Sequence, residues 1–178
     1  MGESYQPIYF IGIALPPALD KQVADLKWQL YNKKAHMLVP LLPHITHLNP
    51  PSLKGIMPDE LIPRVREIAA RYVPMNIALT EIDFFDNEVC YIRAQSQSLY
   101  SLQSQLVKLL PPEAQALHYK RPYTPHITLA QTYDPRKLDV DAVRALAEKS
   151  LTLPITFTVG SVACFVRILP REYRPETI

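Results

Sequence analysis

Apolar positions along the chain follow two periods that alternate with each other. From Ile8 to Leu15 the sequence is almost continuously apolar and is closed by Pro16-Pro17, which predicts a buried strand. Leu19, Val23, Leu26 and Leu30 then step by four, three and four, the spacing of one apolar helix face. After a Lys33-Lys34 loop comes a short extended stretch from His44 to Leu48, ended by Pro50-Pro51. Pro58-Asp59-Glu60 opens a second helix with Leu61, Val65, Ile68 and Tyr72 in register, and a strand from about Met75 to Phe85 closes the first half.

From Glu88 the order repeats. A strand runs through Val89-Cys90-Tyr91-Ile92, and a helix is predicted on Leu99, Leu102, Leu106 and Leu109. A loop from Pro111 to Thr124 follows, then a strand from His126 to about Thr132. A helix on Val140, Val143 and Leu146 leads to a strand through Ile155, Phe157 and Val159, and a last strand, Val162 to Leu169, is extra. Each half therefore reads strand, helix, strand, helix, strand. This predicts an α+β fold of two lobes, about 8–86 and 88–169, related by a pseudo-twofold axis within a single domain of 1–178, with antiparallel sheets facing a central cleft.

Composition narrows the class. At 178 residues the chain is long enough to bury its own core. Eighteen prolines against 4 glycines is an unusual balance, but the prolines are scattered and punctuate elements without forming a polyproline tract. With 19 basic and 17 acidic residues the formal net charge is +2, so any anion site is local and not a basic surface. The two cysteines, Cys90 and Cys164, each sit inside an apolar run, as buried thiols do, and a reducing, cytoplasmic setting is expected. The first apolar run is too short to span a membrane.

One tetrapeptide occurs twice, as Pro43-His44-Ile45-Thr46 and as Pro125-His126-Ile127-Thr128. The two histidines lie 82 positions apart (126 less 44), the same offset as the opening strands near Tyr9 and Tyr91, so the duplication follows the architecture. In a strand, residues i and i+2 share a face, so each copy presents an imidazole beside a hydroxyl. A single His-x-Thr carries little information, since threonine is common in strands. Two copies related by the repeat converge on one pocket. In-line displacement at phosphorus needs a base on the entering oxygen and an acid on the leaving one, which two histidines supply. The hydroxyls of Thr46 and Thr128 can donate to the non-bridging oxygens, and no metal or other cofactor is required.

The paired motif, with its Thr124-Pro125-His126-Ile127-Thr128-Leu129-Ala130 context and its spacing, resembles the two-histidine (2H) phosphoesterase superfamily, in particular its 2′-5′ RNA ligase/cyclic phosphodiesterase branch. The resemblance covers nearly the whole chain. It implies a bilobal α+β fold with both motifs lining the cleft, and metal-independent hydrolysis of a 2′,3′-cyclic phosphate or a 2′,5′-linked nucleotide or RNA end, with reverse 2′-5′ ligation. It also implies that His44 and His126 are catalytic, as acid and base respectively, and that Thr46 and Thr128 bind phosphate. Two positions depart from the pattern: His47 replaces an apolar residue after the first motif, and Gln131 stands where the branch often has arginine. Strand alternation turns His47 away from His44, against a metal pair.

Lys120, Arg121 and Tyr123 lie just upstream of the second motif. They are candidate substrate contacts, a cation pair for phosphate and an aromatic for a base, although a solvated loop with a packed tyrosine explains the same letters. Tyr9, Phe10 and Tyr91 read as core, and the loop histidines His36 and His118 are left outside the site. The expected partner is a small nucleotide or RNA terminus bound by a monomer, with no membrane and no metal. The competing reading is a non-catalytic module that holds a nucleotide or RNA phosphate in the same cleft.

Overall fold

A computed structural model describes residues 8–33, 42–133, 138–169 and 172–178. Among the described residues, eight strands form two four-stranded antiparallel sheets. In the first, β2 (His44–Leu48) pairs with β1 (Tyr9–Ala14), β1 with β7 (Ala163–Leu169), and β7 with β8 (Glu172–Thr177). In the second, β5 (His126–Gln131) pairs with β4 (Val89–Gln95), β4 with β3 (Met75–Phe85), and β3 with β6 (Ile155–Val159). Five helices join them: α1 (Pro17–Lys33), α2 (Pro58–Ala69), α3 (Gln97–Val107), α4 (Pro112–Tyr119) and α5 (Val140–Ser150).

The helices form where the apolar stripes predict them. Leu19, Val23, Leu26 and Leu30 of α1 are all buried, as are Leu61 and Val65 of α2 and Leu99, Leu102 and Leu106 of α3. On α5 the buried positions are Val143 and Ala147, and the Asp139 carboxylate caps the first turn by accepting from the Ala142 N–H at 3.1 Å. One hydrophobic cluster takes residues from both sheets and from α1, α2, α3 and α5.

The α+β class and the two antiparallel sheets agree with the sequence expectation, but the strands are shared out differently. Neither sheet is built from one half of the chain. β3, which closes the first half, lies in the second sheet beside β4, and β7 of the second half lies beside β1. The cause is local. Asp86 and Asn87 both adopt positive φ (50° and 57°), and the Glu88 N–H donates to the Phe85 carbonyl at 2.9 Å. This two-residue turn folds β3 directly back onto β4. The segments 8–86 and 88–169 therefore each contribute strands to both sheets.

Two further elements differ. The predicted loop Pro111 to Thr124 contains α4, which starts with Pro112 in its first turn but buries none of its side chains, so it has no apolar stripe to read. β8 is a polar edge strand containing Pro175, which an edge tolerates because one side of its backbone needs no partner. His36 and Lys34 lie outside the described residues.

Candidate active site

The two His-x-Thr segments occupy equivalent edges. β2 is the outer strand of the first sheet and β5 the outer strand of the second, and the two strands contact each other. Along β2, Ile45, His47 and Leu48 are buried while His44 and Thr46 are half-buried; along β5, Ile127 and Leu129 are buried while His126 and Thr128 are half-buried. The period of two thus holds each imidazole and its hydroxyl on the less buried face. A cleft of about 620 Å³ opens at this junction, with Thr46 from one motif and His126 from the other in its wall.

Both imidazoles are held in the same way. His44 Nδ1 lies 2.5 Å from the carbonyl oxygen of Leu42, and His126 Nδ1 lies 2.6 Å from that of Thr124, in each case two residues upstream. A carbonyl only accepts, so Nδ1 carries the hydrogen and Nε2 is left to exchange protons.

Ring contacts form a bed under each histidine. His44 lies against Phe10 (centroids 4.6 Å apart) and Phe165 (5.3 Å), which stack on each other at 4.5 Å. His126 lies edge-on to Tyr91 and Phe85 (both 5.1 Å), which are themselves stacked at 4.1 Å. Phe10 and Tyr91 are buried, as expected of core residues, and in addition they seat the two imidazoles. Desolvation pushes the His44 pKa down to about 4; its bond to the Leu42 carbonyl opposes this, and the charges of Lys27 and His126 add to it. His126 is also lowered by burial, opposed by its bond to Thr124. The charge of His126 acts on His44, which places the two imidazoles within electrostatic reach of each other.

The upstream candidates divide. Tyr123, Lys120 and Arg121 all line the cleft. Lys120 and Arg121 are exposed, with Arg121 4.0 Å from the Asp86 carboxylate. The Tyr123 hydroxyl, however, is committed to protein: it donates to the Thr46 carbonyl at 2.9 Å and sits 3.1 Å from His47 Nδ1. His47 is only 1% exposed and faces away from His44, as strand alternation requires. Gln131 donates to the Tyr133 hydroxyl at 2.9 Å. His118 belongs to α4 and is part of the cleft wall.

Several neighbours of the site escape sequence reasoning. Arg93 is in direct register with His126 and therefore shares its sheet face. Its guanidinium pairs with Asp83 and with Glu81 (2.6 Å), and the Tyr91 hydroxyl donates to the Asp83 carboxylate at 3.0 Å. Despite partial desolvation, the Phe84 N–H, which donates to the Asp83 carboxylate at 2.8 Å, and then these pairings hold that carboxyl below its usual range. Their only signal in the sequence is alternation on β3 and β4, which reads equally as a solvated face. Lys27 on α1 is 4% exposed, and burial lowers its pKa to about 7 against the opposing charge of Asp20. A lysine on the apolar side of a helix is an outlier to its period.

Among the described residues, no group of three His, Cys, Asp or Glu side chains is placed to hold a metal ion, and no helix is long and apolar enough to cross a membrane. No curated protein matches the chain. Among solved structures, that of TT0787 of Thermus thermophilus matches with a TM-score of 0.60 at 18% identity, over 96% of this chain and 94% of the other. E. coli LigT in apo form matches with a TM-score of 0.56 at 16% identity (98% and 96%), and E. coli LigT complexed with NADP+ with 0.52 at 18% (97% and 96%). At these identities the likeness is one of fold. The family model described as the 2′-5′ RNA ligase superfamily matches residues 15–169, and the chain belongs to that superfamily of two-histidine phosphoesterases.

Proposed function

We propose that the protein is a metal-independent phosphodiesterase that opens a 2′,3′-cyclic phosphate or cleaves a 2′,5′-linked nucleotide or RNA end, with His44 and His126 as the acid–base pair. The observation that carries this reading is the matched pair of backbone bonds, Leu42 to His44 and Thr124 to His126, which fix the same tautomer in both motifs and leave each Nε2 for proton transfer. Thr46 and Thr128, on the same faces, donate to the non-bridging oxygens as charge builds on phosphorus. Lys120 and Arg121 at the cleft rim attract the phosphate. Superfamily membership supports the reaction class.

The environments favour the reverse of the roles that the resemblance implies. His44 is the imidazole held further toward the neutral form, buried against two stacked phenyl rings and near the charge of Lys27. The single proton of the active form then resides on His126. We therefore assign His44 as the base that activates water and His126 as the acid on the leaving ribose oxygen. Hydrolysis is the favoured direction, since water is the abundant nucleophile. Reverse ligation uses the same pair with roles exchanged.

The test is turnover of a short RNA ending in a 2′,3′-cyclic phosphate, with EDTA present, followed by phosphorus NMR. Wild type opens the ring, while His44→Ala and His126→Ala each lose at least about 100-fold in rate. A cyclic phosphate that is bound but never opened by wild type would replace this reading with a non-catalytic phosphate-binding module.

A further inference from the structure

Among the described residues three buried side-chain atoms lack a hydrogen-bond partner: His47 Nε2, His118 Nε2 and Thr80 Oγ1. Two of the three belong to residues in the wall of one cleft, the same cleft that holds Thr46 and His126. A buried polar atom left unpaired is costly, and each one in a folded protein calls for an explanation, of which a group that completes it on binding is one.

The hydrogen bonds around His47 determine what its free nitrogen can do. The Tyr123 hydroxyl has one hydrogen, and it is given to the Thr46 carbonyl. At 3.1 Å from the same hydroxyl, His47 Nδ1 must therefore supply the hydrogen of that contact, and Nε2 is a bare lone pair. Burial drives the His47 pKa down to about 3, so the ring stays neutral and Nε2 remains an acceptor at any neutral pH. A phosphodiester oxygen is itself an acceptor and cannot fill this place. The ligand group must carry a donor.

The wall of the same cleft carries Gln103, a buried carboxamide that can both donate and accept, and Phe85, a flat ring. An acceptor, a carboxamide and a ring suit a flat heterocycle with hydrogen-bonding groups along one edge. We propose that His47 and Gln103 form a nucleobase subsite in which His47 Nε2 accepts a hydrogen bond from the exocyclic amino group of an adenine- or cytosine-type base. The subsite rests on the phosphodiesterase reading for its neighbour, the phosphate between the two motifs. Tyr123 acts on it only through the tautomer of His47.

The experiment compares the 2′,3′-cyclic phosphates of adenosine and of purine riboside, which lacks the amino group. It also compares the corresponding 2′-monophosphates in equilibrium binding. Wild type favours the adenosine compounds about tenfold in kcat/KM and in Kd, as one buried hydrogen bond would provide, and His47→Leu brings both ratios to about one. A ratio of one in wild type, which needs no variant to fold, overturns the subsite and leaves Nε2 to an ordered water. A tenfold ratio that survives in folded His47→Leu overturns the assignment to His47. Discriminating binding without turnover would sustain the subsite while removing the phosphodiesterase reading, and turnover without discrimination would do the opposite.

Discussion

The hydroxyl of Tyr123 donates to the main-chain carbonyl of Thr46 at 2.9 Å, across 77 positions of sequence. The segment leading into the second motif thereby grips the backbone of the first, and the spacing of the two motif strands depends on it. In Tyr123→Phe the buried Nδ1 of His47 loses its partner, at a cost of about 1–3 kcal/mol in unfolding free energy. If the tether also sets the distance between the imidazoles, single-turnover ring opening slows by roughly tenfold. Denaturant unfolding and rapid-quench kinetics measure the two effects separately. Lost stability with an unchanged chemical step would make the tether purely structural.

Gly12 of β1 is in register with Thr46, and a Cβ on Gly12 would lie 2.4 Å from the carbonyl oxygen of Ile45. That oxygen belongs to the strand backbone between His44 and Thr46 and cannot swing aside. Gly12→Ala therefore pushes β2 away from β1, with an expected loss of about 1–3 kcal/mol and a fall in activity larger than the fall in folded fraction. Thermal unfolding together with activity at a temperature where the variant is fully folded checks this. Full activity there would show that β2 shifts without moving its catalytic face.

The parts of this molecule that can be read from sequence are those whose side chains obey a single period. The stripes of α1 and α3, and the alternation in β2 and β5, reflect burial on one face, and the repeated Pro-His-Ile-Thr marks its own location. α4 and residues 174–177 of β8 bury too little to leave such a trace. The placement of β3 beside β4 is encoded in two turn residues, Asp86 and Asn87, whose letters suit a hairpin but do not say which sheet it joins. The aromatic beds of His44 and His126 come from neighbouring strands. Phe165 reaches His44 only because β7 crosses to β1, so this contact follows from topology and not from any local pattern.

Assigning the proton to His126 makes the leaving group a diagnostic. A 4-nitrophenyl ester departs without protonation, whereas a ribose oxygen does not. Toward a 2′-deoxynucleoside 3′-(4-nitrophenyl phosphate), which has no 2′-hydroxyl and so must be attacked by water, His126→Ala is expected to keep activity within about tenfold of wild type, while His44→Ala loses at least about 100-fold. Initial rates from nitrophenolate absorbance decide it. The opposite pattern would restore His44 as the acid.

The pH dependence follows from the same environments. Both imidazoles have pKa values below the ordinary 6.5, mainly through desolvation, with His44 at about 4. The active form of the free protein carries one proton on the pair. Because that proton binds below pH 6.5, raising the pH through 7 and 8 empties it, and kcat/KM should fall about tenfold per unit. On the acid side, protonation of His44 near pH 4 removes the base. The expected bell therefore peaks below about pH 6.5, and a maximum above about pH 7.5 in the cyclic phosphate assay would contradict the depressed values.

His47 makes a separate prediction about stability, because it titrates out of sight of solvent. In the folded protein desolvation lowers its pKa to about 3, while in the unfolded chain it returns to about 6.5. The unfolded state thus binds a proton at a pH where the folded state does not. Stability from this group is fully present above about pH 6.5 and is lost as the pH falls toward about 3. Between pH 7 and pH 4 the loss is on the order of 3 kcal/mol. His47→Leu removes the proton uptake, so its unfolding free energy should decline less steeply with acid than that of wild type by about that amount. The absolute stability at pH 7 is not the readout, since the leucine also forfeits the contact with Tyr123. Urea unfolding at half-unit pH steps gives the slope for each protein, and parallel slopes would mean that the buried imidazole acquires its proton without unfolding.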